Sequence, residues 1–260
     1  MPSLQQPDPR TRPRRRQSHD LLVPRVPALK RVGHKGADHV APGNTRESFE
    51  AALEHGVDMI EFDVLSLRDG RLVLAHDYSD AGKRTPLTLD EGLDLFAGEA
   101  YAGVELDVDL KLPGYEREVV DGLRARGLTG RSLISSQYLE SIDRLRELEP
   151  DVRRGWSVPR AQRDYTRTVW AVPAYGLLQV IKRLLPSRAA SFLRTGRIHA
   201  VMAHYYVVTR RLADAVREGG GELYVWTVDD AAKIARFEAM GAHGVITNDP
   251  RLFDVPITDT

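Results

Sequence analysis

Residues 57–64 read Val57-Asp58-Met59-Ile60-Glu61-Phe62-Asp63-Val64. In a strand, Glu61 and Asp63 share one face while Ile60, Phe62 and Val64 share the other. The apolar face asks for a core. The acidic face, once buried, asks for a cation, because neighbouring like charges repel and each is costly to desolvate. A hard metal ion or an ion pair answers that need equally well at this point. A second stretch, Glu105-Leu106-Asp107-Val108-Asp109-Leu110-Lys111, alternates charged and apolar residues without a break. With its apolar side against helices, it sends its charged side chains to the inside of a closed sheet. Glu105 and Asp107 are expected deeper, in an internal ion-pair ladder, and Asp109 and Lys111 nearer a rim.

Outward from these two stretches, short apolar strands alternate with helical segments from residue 27 onward. Strands are predicted at residues 29–33, 59–64, 104–110, 132–136, 154–157, 200–203, 223–227 and 244–247. Apolar spacing of three and four predicts helices over 46–54, 116–126, 139–148, 209–217 and 231–240. Eight strands with intervening helices in residues 27–260 match a single-domain (β/α)8 TIM barrel, a fold of typically ~250 residues. A Rossmann sheet would need G-x-G-x-x-G after its first strand, where the chain reads Gly33-His34-Lys35-Gly36. A further short strand over 71–76 is expected to form a hairpin around Asp69-Gly70.

Composition narrows the function classes. Lys+Arg and Asp+Glu both number 37, so no global field draws the chain to nucleic acid. The absence of cysteine removes thiolate ligands and nucleophiles and fits a reducing compartment, so a cytoplasmic location is expected. No apolar run approaches the ~20 residues of a membrane span. Residues 1–26, with the run Pro9-Arg10-Thr11-Arg12-Pro13-Arg14-Arg15-Arg16, read as a disordered, solvated arm. Polar residues follow Arg16, unlike a twin-arginine signal.

Barrel chemistry sits at the carboxyl ends of the strands. The chain places His34 and Lys35 at the first such end, Glu61 and Asp63 at the second, Asp109 and Lys111 at the third. Ser136, Gln137, Ser157, His204, Trp226, Thr227, Thr247 and Asn248 fall at the later ones.

Several ordered motifs emerge. They are His34-Lys35-Gly36-Ala37, Pro42-Gly43-Asn44-Thr45, Ser48-Phe49-Glu50-Ala51-Ala52, Ile60-Glu61-Phe62-Asp63-Val64, and Asp69-Gly70 followed by His76-Asp77. Asp109-Leu110-Lys111, Trp226-Thr227-Val228 and the G-x-x-G-V-I-T-N-x-P run over 241–250 come later. In this order and spacing the chain resembles the glycerophosphodiester phosphodiesterase family, within the superfamily that includes phosphatidylinositol-specific phospholipase C. The family's marks are H-R-G-A, P-E-N-T with S-F-x-x-A, I-E-x-D-V, D-G-x-x-V-x-H-D and E-x-K. Three positions depart from them: Lys35 for arginine, Gly43 for the P-E-N-T glutamate, and Asp109 for the E-x-K glutamate. Asp38 is a candidate replacement for the missing glutamate.

The resemblance implies hydrolysis of a glycerophosphodiester to sn-glycerol 3-phosphate and an alcohol. A divalent metal, Mg2+ or Ca2+, would sit on Glu61, Asp63 and Asp109. His34 and His76 would be general base and acid, in an order the sequence leaves open. Lys35, Asn44, Lys111 and Trp226 would bind the substrate. Two other readings stand beside this one: phospholipase D-like action on lysophospholipids, and a catalytically silent barrel that binds phosphate. The long segment after the fifth barrel strand carries Arg160, Arg163, Tyr165, Arg167, Trp170 and Tyr175, then a basic amphipathic stretch over 177–194. It is read as an outer helix with a decorated loop, the alternative being a lid in peripheral contact with a membrane. No feature specifies an oligomeric state.

Overall fold

The computed structural model describes residues 28–159 and 171–256. Among these residues nine strands form one sheet: β1 (Lys30–Gly33), β2 (Met59–Ser66), β3 (Leu72–Leu74), β4 (Glu105–Leu110), β5 (Ser132–Ser136), β6 (Arg153–Val158), β7 (Ala200–His204), β8 (Glu222–Trp226) and β9 (Gly244–Thr247). All but β3 run parallel, and β1 closes the barrel by pairing with both β2 and β9. The eight barrel strands are those predicted, with every end within two residues of its predicted place. β3 is antiparallel to β2 and outside the ring. Gly70, at φ +85°, supplies the left-handed residue that this hairpin turn requires.

The helices are α1 (Arg46–Glu54), α2 (Tyr78–Ala81), α3 (Leu89–Phe96), α4 (Glu116–Ala125), α5 (Leu139–Leu148), α6 (Ala171–Arg194), α7 (Arg210–Glu218) and α8 (Ala231–Ala239). α3 was not among the predicted helices. Its stripe of Leu89, Leu93 and Phe96 is interrupted only by Gly92, and Thr88 and Glu91 form a full capping box, so the signals for this helix were present in the sequence. The amphipathic stretch read over 177–194 lies in α6. The predicted arm over 1–26 lies outside the described residues, as do Arg160, Arg163, Tyr165, Arg167 and Trp170.

The alternation read in β2 is what positions the site. Ile60, Phe62 and Val64 are fully buried against the helices, and Phe62 packs on Phe96 and Phe49 at centroid distances of 4.9 and 6.3 Å. α1 and α3 therefore clamp β2 from outside, which commits Glu61 and Asp63 to the inside. The inner layer is small, built from Val32, Met59, Leu133, Met202, Tyr224 and Ile246.

At the amino-terminal end of the barrel, Arg153 bridges Glu105 and Glu222 at 2.5 Å each, and Lys30 meets Glu105 at 2.5 Å. Glu105 thus stands in the expected ladder. Asp107 does not: among the described residues no cation pairs with it, and its Oδ1 accepts no hydrogen bond. Burial, reinforced by Asp109, pushes its pKa up to about 8, so its neutral form predominates at neutral pH. One pleat above the ladder, it feels the Arg153 charge but makes no ion pair with it.

Arg153→Met would leave Glu105 and Glu222 facing each other. We expect a loss of about 2 kcal/mol in urea unfolding, below the ~3–5 kcal/mol of a fully buried broken pair because these side chains stay partly hydrated.

Candidate active site

The strand register brings the acids together. Parallel pairing of β2 with β4 sets Glu61 beside Asp107 and Asp63 beside Asp109. One ligating oxygen each from Glu61, Asp63 and Asp109 then lies within 4.8 Å of the others at the carboxyl-terminal mouth. The two alternating stretches thus supply a single acidic cluster.

Its charge is partly met by Lys111, the residue after β4. The Lys111 ammonium pairs with Asp63 Oδ1 and, at 2.5 Å, with Asp109 Oδ2. Burial acts against this charged lysine, but Asp109, Asp63 and Glu61 outweigh it and raise its pKa. Burial likewise works against Asp63, yet Lys111 leads the nearby positive groups in holding it well below the usual carboxylate range. Glu61 goes the other way, raised by burial and by Asp63. It is steadied by the Lys35 backbone N–H, which donates to Glu61 Oε2 at 2.8 Å. Asn44 is fully buried, with φ +59°. Its Nδ2 donates to Asp63 Oδ2 at 2.8 Å, and its Oδ1 accepts from the Asp63 N–H at 3.0 Å. Asn44 therefore locks one carboxylate in place, while Thr45 takes the capping role at the start of α1.

The two histidines differ in environment. His34 sits over the acids, with Nε2 3.8 Å from Glu61 Oε2. Its Nδ1 is 2.5 Å from Asn248 Oδ1. Asp229 decides the direction of that bond: its carboxylate only accepts, and it takes the Asn248 Nδ2–H at 2.7 Å and the Asn248 backbone N–H at 2.8 Å. Asn248 must then present its oxygen to His34, so Nδ1 carries the proton and Nε2 is left as the base. Burial, with the adjacent Lys35 charge, pulls the His34 pKa down to about 4, so the ring is neutral at physiological pH. His76, beyond the end of β3, is half exposed, its Nδ1 3.4 Å from Asp77 Oδ2.

Other predicted positions fall as follows. The Lys35 ammonium is 3.2 Å from Asp38 Oδ2, and the Gly43 N–H donates to Asp38 Oδ1 at 2.7 Å. Asp38 is thus not a fourth member of the acidic cluster. It occupies the space beside residue 43 instead: a Cβ at Gly43 would meet Asp38 Oδ1 at 2.6 Å and the Lys35 Cβ at 2.8 Å. Trp226 is half-buried at the mouth, its indole N–H donating to Met202 O at 2.9 Å and its ring edge-on to His204. Arg84, Asp80 and Asp229 went unremarked in the sequence. Asp229 directly follows the Trp226-Thr227-Val228 motif, whereas Arg84 sits in a stretch without periodicity.

All ligand atoms of the cluster are hard carboxylate oxygens, and the single charge of Lys111, shared between Asp63 and Asp109, offsets only one of their two, so the donor set fits a divalent cation. A (β/α)8 barrel that gathers carboxylates, lysines and two histidines at its carboxyl-terminal mouth has the equipment of a phosphoester-cleaving enzyme. The chain belongs to the glycerophosphoryl diester phosphodiesterase family, whose model matches residues 34–91 and 83–252. A glycerophosphodiester phosphodiesterase of Caldanaerobacter subterraneus is 24% identical over 251 residues, covering 84% of this chain and 93% of the relative. One of Bacillus subtilis is 25% identical over 268 residues, covering 85% of this chain and 84% of the relative. Among solved structures, an Oleispira antarctica phosphodiesterase in complex with the product sn-glycerol-3-phosphate shares the fold at TM-score 0.64 and 19% identity, covering 87% of this chain and 98% of that one.

The contact between Asp38 and Gly43 makes a prediction. Gly43→Glu alone should destabilise the protein by about 1–3 kcal/mol through overpacking, and adding Asp38→Gly should restore part of that loss, the Lys35 Cβ accounting for the rest. Thermal unfolding of the two single variants and the double variant measures it.

Proposed function

We propose that the protein hydrolyses glycerophosphodiesters to sn-glycerol 3-phosphate and an alcohol, using a divalent cation, Mg2+ or Ca2+, on Glu61, Asp63 and Asp109. The main support is the meeting of these three carboxylates beneath the free Nε2 of a neutral histidine, in a chain of this family. The sn-glycerol-3-phosphate held by the Oleispira phosphodiesterase supports the product. When bound, the cation would polarise a phosphate oxygen and stabilise charge developing on phosphorus.

The residues divide the remaining work. His34 Nε2 takes the proton of the attacking oxygen, with Asn248 and Asp229 holding the tautomer that leaves this nitrogen free. As the new P–O bond forms, the P–O bond to the alcohol breaks, and His76 delivers a proton to the departing oxygen. Lys35, on releasing Asp38, and Lys111, which stays shared with Asp63 and Asp109, offer positive charge to the phosphate. Lys35 lacks the bidentate fork of arginine and acts as a point charge. Asn44 serves by fixing Asp63, and Trp226 gives a flat wall to the glycerol moiety. By resemblance to the family, the attacking oxygen is either water or the glycerol hydroxyl, the latter through a cyclic phosphate.

A second reading, lysophospholipids as substrates with peripheral membrane contact, is favoured by the exposed Val180 and Leu184, which flank Lys182 and Arg183 on α6. No helix among the described residues is long and apolar enough to cross a membrane. The cysteine-free composition favours the cytoplasm.

A panel of glycerophosphocholine, glycerophosphoethanolamine and lysophosphatidylcholine, with and without Mg2+ and Ca2+, tests both readings. Release of glycerol 3-phosphate that chelator abolishes is the expected result. Glu61→Gln and His34→Ala should each lower kcat by about 100-fold or more. Binding of these diesters without turnover under any divalent metal would support a silent barrel instead.

A further inference from the structure

The loops that carry His34 and His76 are joined by one guanidinium. Arg84, in the connection between α2 and α3, is mostly buried. One terminal nitrogen donates to Gly43 O at 2.9 Å and the other to Asn44 O at 3.2 Å. The first also reaches Asp80 Oδ2 at 3.4 Å, and that same oxygen accepts the His76 backbone N–H at 3.1 Å. Resting on the phosphodiesterase reading above, we infer that Arg84 is a positioning residue that sets the proton-donating His76 against the His34–Asn44 side of the site.

The need for such a link follows from the fold. His76 lies past the end of β3, which pairs with β2 outside the barrel ring, so the eight-stranded closure does not hold it. Its side chain is half exposed, and the ring contact to Asp77 is long at 3.4 Å. Backbone anchoring through Asp80 is therefore the hydrogen bond that fixes the His76 main chain itself. On the other side, Asn44 adopts a left-handed φ of +59°, and its side chain clamps Asp63 with two hydrogen bonds. Arg84 takes the backbone carbonyl of that same residue. One side chain is thus tied both to the anchor of His76 and to the residue that fixes a proposed metal ligand. Between the loops lies a cavity of about 270 Å3, lined in part by Lys35, His76 and Arg84. An arginine suits this work because its rigid fork serves two carbonyls and a carboxylate at once, which a lysine ammonium on a flexible stem does not.

A leaving-group comparison separates this role from general structural support. Glycerophosphocholine releases an alkoxide that needs a proton, whereas glycerol 3-(4-nitrophenyl phosphate) releases an aryl oxide that does not. In Arg84→Ala, kcat on glycerophosphocholine should fall by about 100-fold, the scale of a lost general acid, with KM changed little. Turnover of the nitrophenyl ester should stay within about 5-fold of wild type. Millimolar guanidinium should restore part of the loss, Arg84→Lys should not behave as wild type, and His76→Ala/Arg84→Ala should be no slower than His76→Ala. Equal loss on both substrates in a folded variant, or full activity in Arg84→Lys, overturns the inference. If circular dichroism shows Arg84→Ala to be unfolded, Asp80→Ala cuts the same link from its other end and must give the same selective loss. Wild-type protein that turns over neither substrate refutes the phosphodiesterase reading itself, whereas an active enzyme without the leaving-group difference refutes only the role of Arg84.

Discussion

The active end of this barrel depends on bringing like charges together where water is scarce. Glu61, Asp63, Asp107 and Asp109 come from adjacent strands whose register leaves them no way to separate. Two devices make the arrangement tolerable. Lys111 stands between Asp63 and Asp109, and Asp107 and Glu61 have raised pKa values, so they give up their charge more readily. A cluster of hard oxygens with incomplete compensation is suited to a cation. The strain is tolerated because the outer faces of the same strands bury aromatic and aliphatic side chains, led by the Phe49, Phe62 and Phe96 group.

The two histidines are made different by what holds them. His34 belongs to the barrel: its backbone N–H donates to Thr247 O at 2.8 Å, and its ring is oriented from β9 through Asn248. Buried beside Lys35, it is neutral and offers one free nitrogen. His76 belongs to an appended hairpin and to solvent, and its location comes from loop contacts. One buried neutral imidazole and one exposed one make a division suited to opposite proton-transfer roles.

The departures from the family pattern also acquire a physical sense. Gly43 and Asp38 form a pair, since the carboxylate of one stands where a side chain on the other would go. That carboxylate pairs with Lys35 instead of entering the acidic cluster, so the charge lost at position 43 returns nearby in a different role. Asp109 keeps its place in the cluster despite being one methylene shorter than glutamate, because its strand register already sets it beside Asp63.

Much of this was legible in the sequence because it depends on short-range periodicity. The two-residue alternation in 57–64 and 105–111 told which side chains face inward, and the recurrence of strands and helices specified the barrel. α3 was equally legible, its stripe of Leu89, Leu93 and Phe96 and its cap of Thr88 and Glu91 all written locally, although it spans only eight residues. Contacts set by distant parts of the chain were not legible. The ladder holds Glu105 but not Asp107, a distinction of one pleat in height that only the placement of Arg153 and Lys30 decides. The tautomer of His34 depends on Asn248 and Asp229, and the anchoring of His76 on Arg84 and Asp80. The sequence by itself determined the barrel and which strand residues face its interior, because backbone periodicity and apolar burial act locally. Tertiary structure decided which of those groups are charged, which nitrogen is free and which loops are tied together, because electrostatics and hydrogen bonding depend on neighbours far away in the chain.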